Sequence, residues 1–236
     1  MKRGPAWTDA CYTALRGAVH RRDGLDVVAL LGDEPLAEIA QLSGDGLRVA
    51  LAQGVAGAAA AAQRCLQALR ERGWTGDAEL AGELAAVGDH DAPIPLRWTV
   101  PVDLEELGSH LDGHSGPYEQ GVRLRLATGE LWPDTDDLEA LTGEPEPHDW
   151  QDPDAWLTVE PQGSRDGYRD MQAFVSTVAD DSLAGRLHRA LQGRGAFARF
   201  RDALPDAERS RWRVFSDERV RGRARAWLAH HGCRPA

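Results

Sequence analysis

The first ninety residues place apolar side chains at the spacing of amphipathic helices. Apolar residues recur every three or four positions between residues 51 and 69, which predicts one long helix that ends at Gly73. The same spacing at 25–42 and 80–87 predicts further, shorter helices. We therefore predict that residues 1–90 form a helical module.

The pattern changes after two prolines, Pro93 and Pro95, which we interpret as a domain boundary. Beyond them apolar residues alternate with other residues, as they do in strands that are buried on one face. A turn centred on Thr128 and Gly129 predicts that two of these strands form a hairpin. The predicted strands cover residues 96–102, 122–126, 131–132 and 155–159.

Residues 133–153 are rich in Asp, Glu and Pro, and we interpret them as a solvated connection with little to pack. Helical spacing returns beyond Gly167 and continues to Leu228. These patterns predict an α+β fold, in which the N-terminal helical module is followed by a small antiparallel sheet that is packed by C-terminal helices. The predicted domains are residues 1–90 and 91–236.

Composition narrows the class of protein. The chain has 236 residues and a formal net charge of -11. It has no uncharged run that is long and apolar enough to span a bilayer, and charged residues interrupt the N-terminal stretch where a secretory signal would lie. Its cysteines, at positions 11, 65 and 233, lie far apart, which argues against a disulfide framework or a zinc ribbon. We expect a cytoplasmic protein that has no membrane partner.

The charge is distributed unevenly along the chain. Residues 91–181 carry 21 acidic and 5 basic side chains, whereas residues 182–236 carry 13 arginines and 5 acidic side chains. Two such regions either attract each other within one fold or face different partners. The sequence leaves both outcomes open.

Named catalytic patterns are absent from the sequence. It contains no P-loop and no H-E-x-x-H, G-x-S-x-G or G-x-G-x-x-G pattern, and Lys2 is its only lysine, which argues against lysine catalysis. Potential metal ligands form three groups: His110 with Asp112 and His114; His230 with His231 and Cys233; and Asp134, Asp136, Asp137 and Glu139. We interpret the first group as a solvated turn, the second as the end of a helix and the third as a hydrated acidic face. We therefore predict no metal site and no cofactor.

Four motifs of the second predicted domain are distinctive. They are LATGELW at 126–132, YRDMQAF at 168–174, GRGAFARFRD at 193–202, and WRVF at 212–215 followed by Trp227 and Leu228. Together they resemble the uncharacterised protein family UPF0158, over roughly residues 96–236. The resemblance implies a bacterial protein, and because that family has no established activity, it implies no catalytic residues.

The arginines of the C-terminal third are candidate contacts for an acidic partner. Guanidinium groups near an aromatic side chain, here Trp212, are a composition used to bind phosphate groups. Our first hypothesis is a non-catalytic interaction protein that binds an acidic protein or a nucleic acid through its Arg-rich C-terminal helices. The candidate residues are Arg194, Arg199, Arg201, Arg211, Arg213, Arg219 and Arg223. A homo-oligomer formed through the Ala-rich helix around Ala58–Ala62 is also left open.

The second hypothesis is an enzyme that acts on a phosphorylated or carboxylated small molecule. It requires a pocket between the sheet and the helices that is lined by Asp166, Arg169, His188 and Arg194. Asp166 and Asp170 also frame the predicted start of a helix, where aspartate caps free N–H groups, and this role competes with acid–base chemistry. The sequence does not decide whether the protein is an enzyme.

Overall fold

The structure, a computed structural model, describes residues 7–88, 98–113 and 121–236 and divides the chain into two units. The first unit joins the described part of residues 1–94 to Tyr168–Gly222, and the second joins the described part of Pro95–Gly167 to Arg223–Ala236. The boundary predicted at Pro93 and Pro95 lies outside the described residues. The domains 1–90 and 91–236 stay a prediction, because the contacts do not show which stretch folds independently.

The described residues form helices and short strands in the following order. The α-helices are α1 (Asp9–His20), α2 (Gly24–Leu31), α3 (Ala40–Ala52), α4 (Ala58–Arg72), α5 (Asp77–Gly88), α6 (Leu104–Leu111), α7 (Leu138–Thr142), α8 (Arg165–Thr177), α9 (Asp181–Ala190), α10 (Ala196–Ala203) and α11 (Asp206–His230). A single 3₁₀ turn, Ala37–Ile39, precedes α3. The strands are β1 (Trp98–Val100), β2 (Val122–Arg125), β3 (Leu131–Pro133), β4 (Trp156–Val159) and β5 (Cys233–Pro235). The predicted α+β fold class is confirmed.

The N-terminal helices follow the predicted spacing except at one position. The helices predicted within 25–42 and 80–87 are confirmed by α2, α3 and α5, and Gly73 ends α4 with a φ of 61°. The single helix predicted across 51–69 is wrong, because the chain leaves the helix after Ala52 and re-enters it at Ala58. Gly54 and Gly57 adopt φ values of 66° and 85° in this break, a conformation that glycine accepts without strain.

The alanines of α4 mainly pack inside the first unit. Ala58, Ala61, Ala62 and Ala68 are buried, and Ala61 and Ala68 belong to a core that also contains Leu15. The helix therefore uses its small residues to approach its neighbours. Formation of a homo-oligomer through this helix stays a prediction.

A carboxylate of α11 caps the start of α3. No side chain of the preceding turn caps this helix, and Glu218 instead accepts hydrogen bonds from the backbone N–H groups of Gln41 at 2.7 Å and Leu42 at 2.9 Å. Glu218 also accepts a hydrogen bond from Arg72 at 2.9 Å, and Arg72 donates two more to Asp77 at 2.7 and 3.0 Å. Burial raises the pKa of Glu218, and Arg72 and the backbone N–H groups oppose this shift. The N-terminal helices thus share a buried polar network with α11.

Two glycines of the first unit bring their backbones into close contact. A Cβ at Gly222 would lie 2.2 Å from the carbonyl oxygen of Thr75, and a Cβ at Gly76 would lie 2.1 Å from the carbonyl oxygen of Gly222. Both positions therefore require glycine for steric reasons, and Gly76 also has a φ of 85°.

The second unit contains the predicted antiparallel sheet, in the order β3-β2-β4. Val122 is opposite Pro133 on one side and Val159 on the other, and the predicted hairpin connects β2 to β3. Side chains of α11, among them Leu228, share a buried core with Leu124 of this sheet. The predicted packing of C-terminal helices on a small sheet is thus confirmed for α11.

The strand predicted at 96–102 does not join that sheet. Its described part, β1, pairs in parallel with β5, with Trp98 opposite Cys233. The C-terminal residues are therefore a strand, and the placement of Cys233 at the end of a helix is corrected. Leu96 lies outside the described residues.

The interpretation of residues 133–153 as a connection with little to pack is wrong. Leu138 of α7 and Trp150 are 2% and 3% exposed, and they pack with Trp156 of β4. The rings of Trp150 and Trp156 lie 4.7 Å apart in an edge-to-face arrangement, and Arg123 lies over the Trp150 ring at 4.8 Å. Two large apolar side chains are thus enough to pack part of an otherwise acidic stretch against the sheet.

Candidate functional site

Two of the candidate arginines are paired with carboxylates of the acidic middle segment. Arg219 Nε donates to Asp170 Oδ1 at 2.8 Å, and Arg223 donates to both oxygens of Asp112, at 2.6 and 3.1 Å. Asp112 and Asp170 are buried, so the ion pairs are poorly accessible to solvent. Asp170 lies inside α8, not at its start, which corrects its predicted role as a helix cap.

Two further candidates on α11 are engaged within the first unit. Arg211 donates to Glu208 at 3.0 Å and to the backbone and side-chain oxygens of Thr177 at 3.0 and 2.6 Å. Arg213 pairs with Asp9, and its guanidinium group lies over the Tyr12 ring at 5.6 Å. The positive charge of α11 is therefore balanced in large part by carboxylates of the same chain.

Arg199 closes the loop between α9 and α10. Its guanidinium group donates to the backbone carbonyls of Ala190 at 3.1 Å and Gly193 at 3.2 Å, and also to those of Gln192 and Arg194. Carbonyl groups at the end of a helix lack partners within it, so a guanidinium group at this place stabilises the helix end. Arg199 thus has a structural role in this loop.

The remaining two candidates, Arg194 and Arg201, are exposed. Neither forms an ion pair within residues 7–88, 98–113 and 121–236. Two neighbours that the sequence analysis missed, Arg186 and Arg189 of α9, are exposed and unpaired in the same sense. We refer to Arg186, Arg189, Arg194 and Arg201 as the α9–α10 arginines.

A signal for these residues was present in the sequence. Residues 186–201 contain five arginines and no Asp or Glu, although the chain as a whole has a net charge of -11. Helices α9 and α10 pack on each other, so the two halves of this stretch are neighbours in space. The stretch is thus a locally basic part of an acidic protein.

The four residues of the enzyme hypothesis lie on or next to two helices. Asp166 and Arg169 are three positions apart on α8, His188 lies on α9, and Arg194 follows α9. The side chains of Arg169, His188 and Arg194 are exposed. A catalytic pocket formed by these four residues stays a prediction.

The first candidate metal group, His110 with Asp112 and His114, is described only in part. His114 lies outside the described residues, and Asp112 is already paired with Arg223. Burial lowers the pKa of His110, while Glu106 acts in the opposite direction. In the second candidate group, His230 with His231 and Cys233, the His231 ring lies 4.1 Å from the Trp227 ring. Nδ1 of His231 is 2.8 Å from the carbonyl oxygen of Trp227.

In the acidic group of residues 134–139, Asp134 is engaged by a neighbouring arginine. Asp134 accepts a hydrogen bond from Arg123 Nε at 3.0 Å, and Asp137 precedes α7. In the part of the chain that the structure describes, no group of three or more His, Cys, Asp or Glu side chains is placed to hold a metal ion. No helix there combines the length and apolarity needed to cross a bilayer.

Fold and site together define an α+β protein in which two adjacent helices, α9 and α10, carry exposed arginines. The other candidate arginines form ion pairs or hydrogen bonds within the chain. Residues 130–236 match the model of the uncharacterised protein family UPF0158. The resemblance to this family is confirmed, although the match begins inside the first motif, at residue 130, rather than near residue 96. No curated protein and no solved structure matches the chain. The family has no assigned activity, so function has to be inferred from the geometry.

Proposed function

We propose that the protein is a non-catalytic binding protein whose α9–α10 arginines contact an acidic segment of another protein. The observation that carries the proposal is the stretch 186–201, in which four exposed guanidinium groups have no ion pair with the described residues. Exposed guanidinium groups bind carboxylates through charge-assisted and often bidentate hydrogen bonds. Association of this kind does not require a nucleophile or a cofactor.

An acidic protein segment suits this surface better than a nucleic acid. Domains that bind nucleic acids usually carry a strongly basic surface and aromatic side chains for stacking. Here the sequence pI is about 5.2, and Phe200, one of the two aromatic residues of 186–201, is fully buried. Carboxylates elsewhere on the chain repel a long polyanion, whereas a short peptide meets mainly the local positive charge.

The proposal predicts salt-sensitive binding of an acidic peptide to the full-length protein. The probe is a fluorescein-labelled peptide of alternating Glu and Gly, and its anisotropy is measured in low and in high NaCl. The test variant replaces the four α9–α10 arginines by glutamine. We expect its affinity to fall by about tenfold or more, which corresponds to about 1.4 kcal/mol, because each guanidinium group contributes to attraction of the peptide.

A matched control distinguishes the effect of losing these four arginines from the effect of lowering the number of positive charges by the same amount. The control variant replaces four exposed arginines elsewhere by glutamine: Arg22, Arg70, Arg165 and Arg209. We expect it to retain most of the affinity. Equal losses in the two variants, or no binding at low salt, would overturn the proposal, and tighter binding of a 20-nucleotide DNA strand than of the peptide would identify a nucleic acid as the partner instead.

A further inference from the structure

The first unit contains a cavity of about 470 Å³ that the proposed function does not use. Its apolar walls include Trp7, Ala68, Trp74, Val214 and Phe215. The volume lies within the range of roughly 300–1,000 Å³ that is typical of small-molecule sites, which are mainly apolar with a few polar groups. The indole N–H of Trp7 already donates to the carbonyl of Pro35 at 2.8 Å, so this ring offers the cavity mainly its apolar surface.

The two guanidinium groups at the cavity are already neutralised. Arg72 is bound by Asp77 and Glu218, with distances of 2.7 and 2.9 Å. Arg211 is bound by Glu208 at 3.0 Å. An anionic ligand would have to compete with these carboxylates for the same N–H groups.

The two glutamates at the cavity have no cationic partner among the described residues. Glu38 is exposed and forms no hydrogen bond or ion pair there, and Glu71 accepts a hydrogen bond from the neutral amide of Gln67 at 2.8 Å. The uncompensated charges at this cavity are therefore the negative charges of these two carboxylates. A cationic ligand complements them.

We propose that this cavity binds a small protonated amine with an aromatic or branched apolar body. The ammonium group pairs with Glu38 or Glu71, and the apolar body is buried against Trp7 and Val214. Burial of the body supplies the larger part of the affinity, and the ion pair selects amines over carboxylic acids.

Two probes of the same size and opposite charge test the ligand class. Binding of 2-phenylethylamine and of 3-phenylpropionate to the full-length protein is measured by titration calorimetry at pH 7.5. We expect saturable binding of the amine at one site, and affinity for the carboxylate at least tenfold weaker. Absence of saturable amine binding, or equal or tighter binding of the carboxylate, would overturn the proposal.

Two sets of variants locate the site. The double variant Glu38→Gln and Glu71→Gln is expected to lower amine affinity at least tenfold, while Glu34→Gln combined with Glu139→Gln, two exposed glutamates that do not line the cavity, leaves it unchanged. Ala37→Trp places a large side chain at an exposed position of the cavity wall and is expected to abolish binding of both probes. If the cavity variants bind the amine as the control does, the amine binds elsewhere and the proposal is wrong.

Discussion

Cys65 is a thiol whose surroundings favour its protonated form. The side chain is fully buried in the first unit, and Sγ donates to the carbonyl oxygen of Ala40 at 3.4 Å. Burial raises the pKa of Cys65 to about 12, and the negative charge of Glu218 acts in the same direction. The thiolate of Cys65 is therefore scarce in the folded protein at neutral pH.

We predict that Cys65 makes the folded protein less stable above pH 9. The thiol of the unfolded chain ionises near its ordinary pKa of 9.0, whereas the folded protein retains the proton up to about pH 12. The contribution of Cys65 is therefore complete below pH 9 and is lost as the pH rises, by about 1.4 kcal/mol at pH 10. Urea unfolding under reducing conditions at pH 8 and pH 10 measures this loss.

The variant Cys65→Ala isolates the thiol in this measurement. Its free energy of unfolding is expected to fall less between pH 8 and pH 10 than that of the unchanged protein. The variant Cys11→Ala, at an exposed position, serves as the control and is expected to behave like the unchanged protein. The prediction fails if all three proteins show the same dependence on pH.

The sequence identified individual arginines but not their partners. Arg219 and Arg223 were named as candidates, yet Asp170 and Asp112 lie 49 and 111 positions away along the chain. Pairing over such separations is decided by tertiary packing, and neither composition nor helical spacing contains this information. The exposed Arg194 and Arg201 were named because they belong to the Arg-rich C-terminal third and lie in the motif GRGAFARFRD at 193–202.

At the scale of elements, Arg199 is expected to stabilise the end of α9. Arg199→Ala removes the donor to four backbone carbonyls of the α9–α10 loop. We predict a loss of about 1 kcal/mol in the free energy of unfolding and faster amide hydrogen exchange in the last turn of α9. Chemical denaturation and exchange mass spectrometry measure the two effects.

The neighbouring variant Arg201→Ala is the matched control for this prediction. Arg201 lies on the same helix, α10, and is exposed without an ion pair in the described part of the chain. Its replacement is expected to leave both measurements nearly unchanged. Equal effects of the two substitutions would show that Arg199 acts through general charge rather than through the carbonyl groups.

Helices were more predictable than strand pairing for a physical reason. Apolar spacing is a local property, and it located α5, α9 and the hairpin of β2 and β3. The pairing of β1 with β5 joins residues as far apart as Thr99 and Arg234, which are 135 positions apart, and each strand has only three residues. The strand β5 was missed because it follows α11 closely and its three residues are too few to show an alternating pattern.

At the scale of the whole molecule, the first unit depends on residues that are distant in sequence. The start of α3 is capped by Glu218, and Val214 belongs to the core that the N-terminal helices build. We predict that isolated residues 1–90 lack a cooperative thermal transition, because Arg72 and the backbone N–H groups of Gln41 and Leu42 lose Glu218 and the surface that α11 covers is exposed. Circular dichroism of the fragment and of the full-length protein measures the difference.

This fragment also tests the predicted domain division. A cooperative transition at the temperature of the full-length protein would show that residues 1–90 are an independent domain, as the sequence analysis predicted. A broad, weak transition would indicate that the folding unit includes Tyr168–Gly222. Tryptophan fluorescence, which reports on Trp7 and Trp74 in the fragment, provides a second measurement of the same transition.

At the scale of the whole molecule, the sequence predicted where the charged regions lie along the chain but not which of them interact. Counting residues showed the acidic middle segment and the basic end, and it left two outcomes open. The structure shows the first outcome for α11, which forms ion pairs within the chain. The α9–α10 arginines are exposed, and their contact with a partner stays a prediction. The acid-free stretch 186–201 separates these two groups of arginines, although the sequence analysis did not single it out.

The contact between Gly76 and Gly222 has a consequence for related chains. Gly222 lies inside the segment that matches the family, and Gly76 lies outside it. A relative that keeps the matched segment but has no equivalent of residues 73–77 loses the carbonyl group that excludes a side chain at position 222. Such a relative can carry alanine there, whereas a chain that keeps this backbone contact requires glycine at position 222.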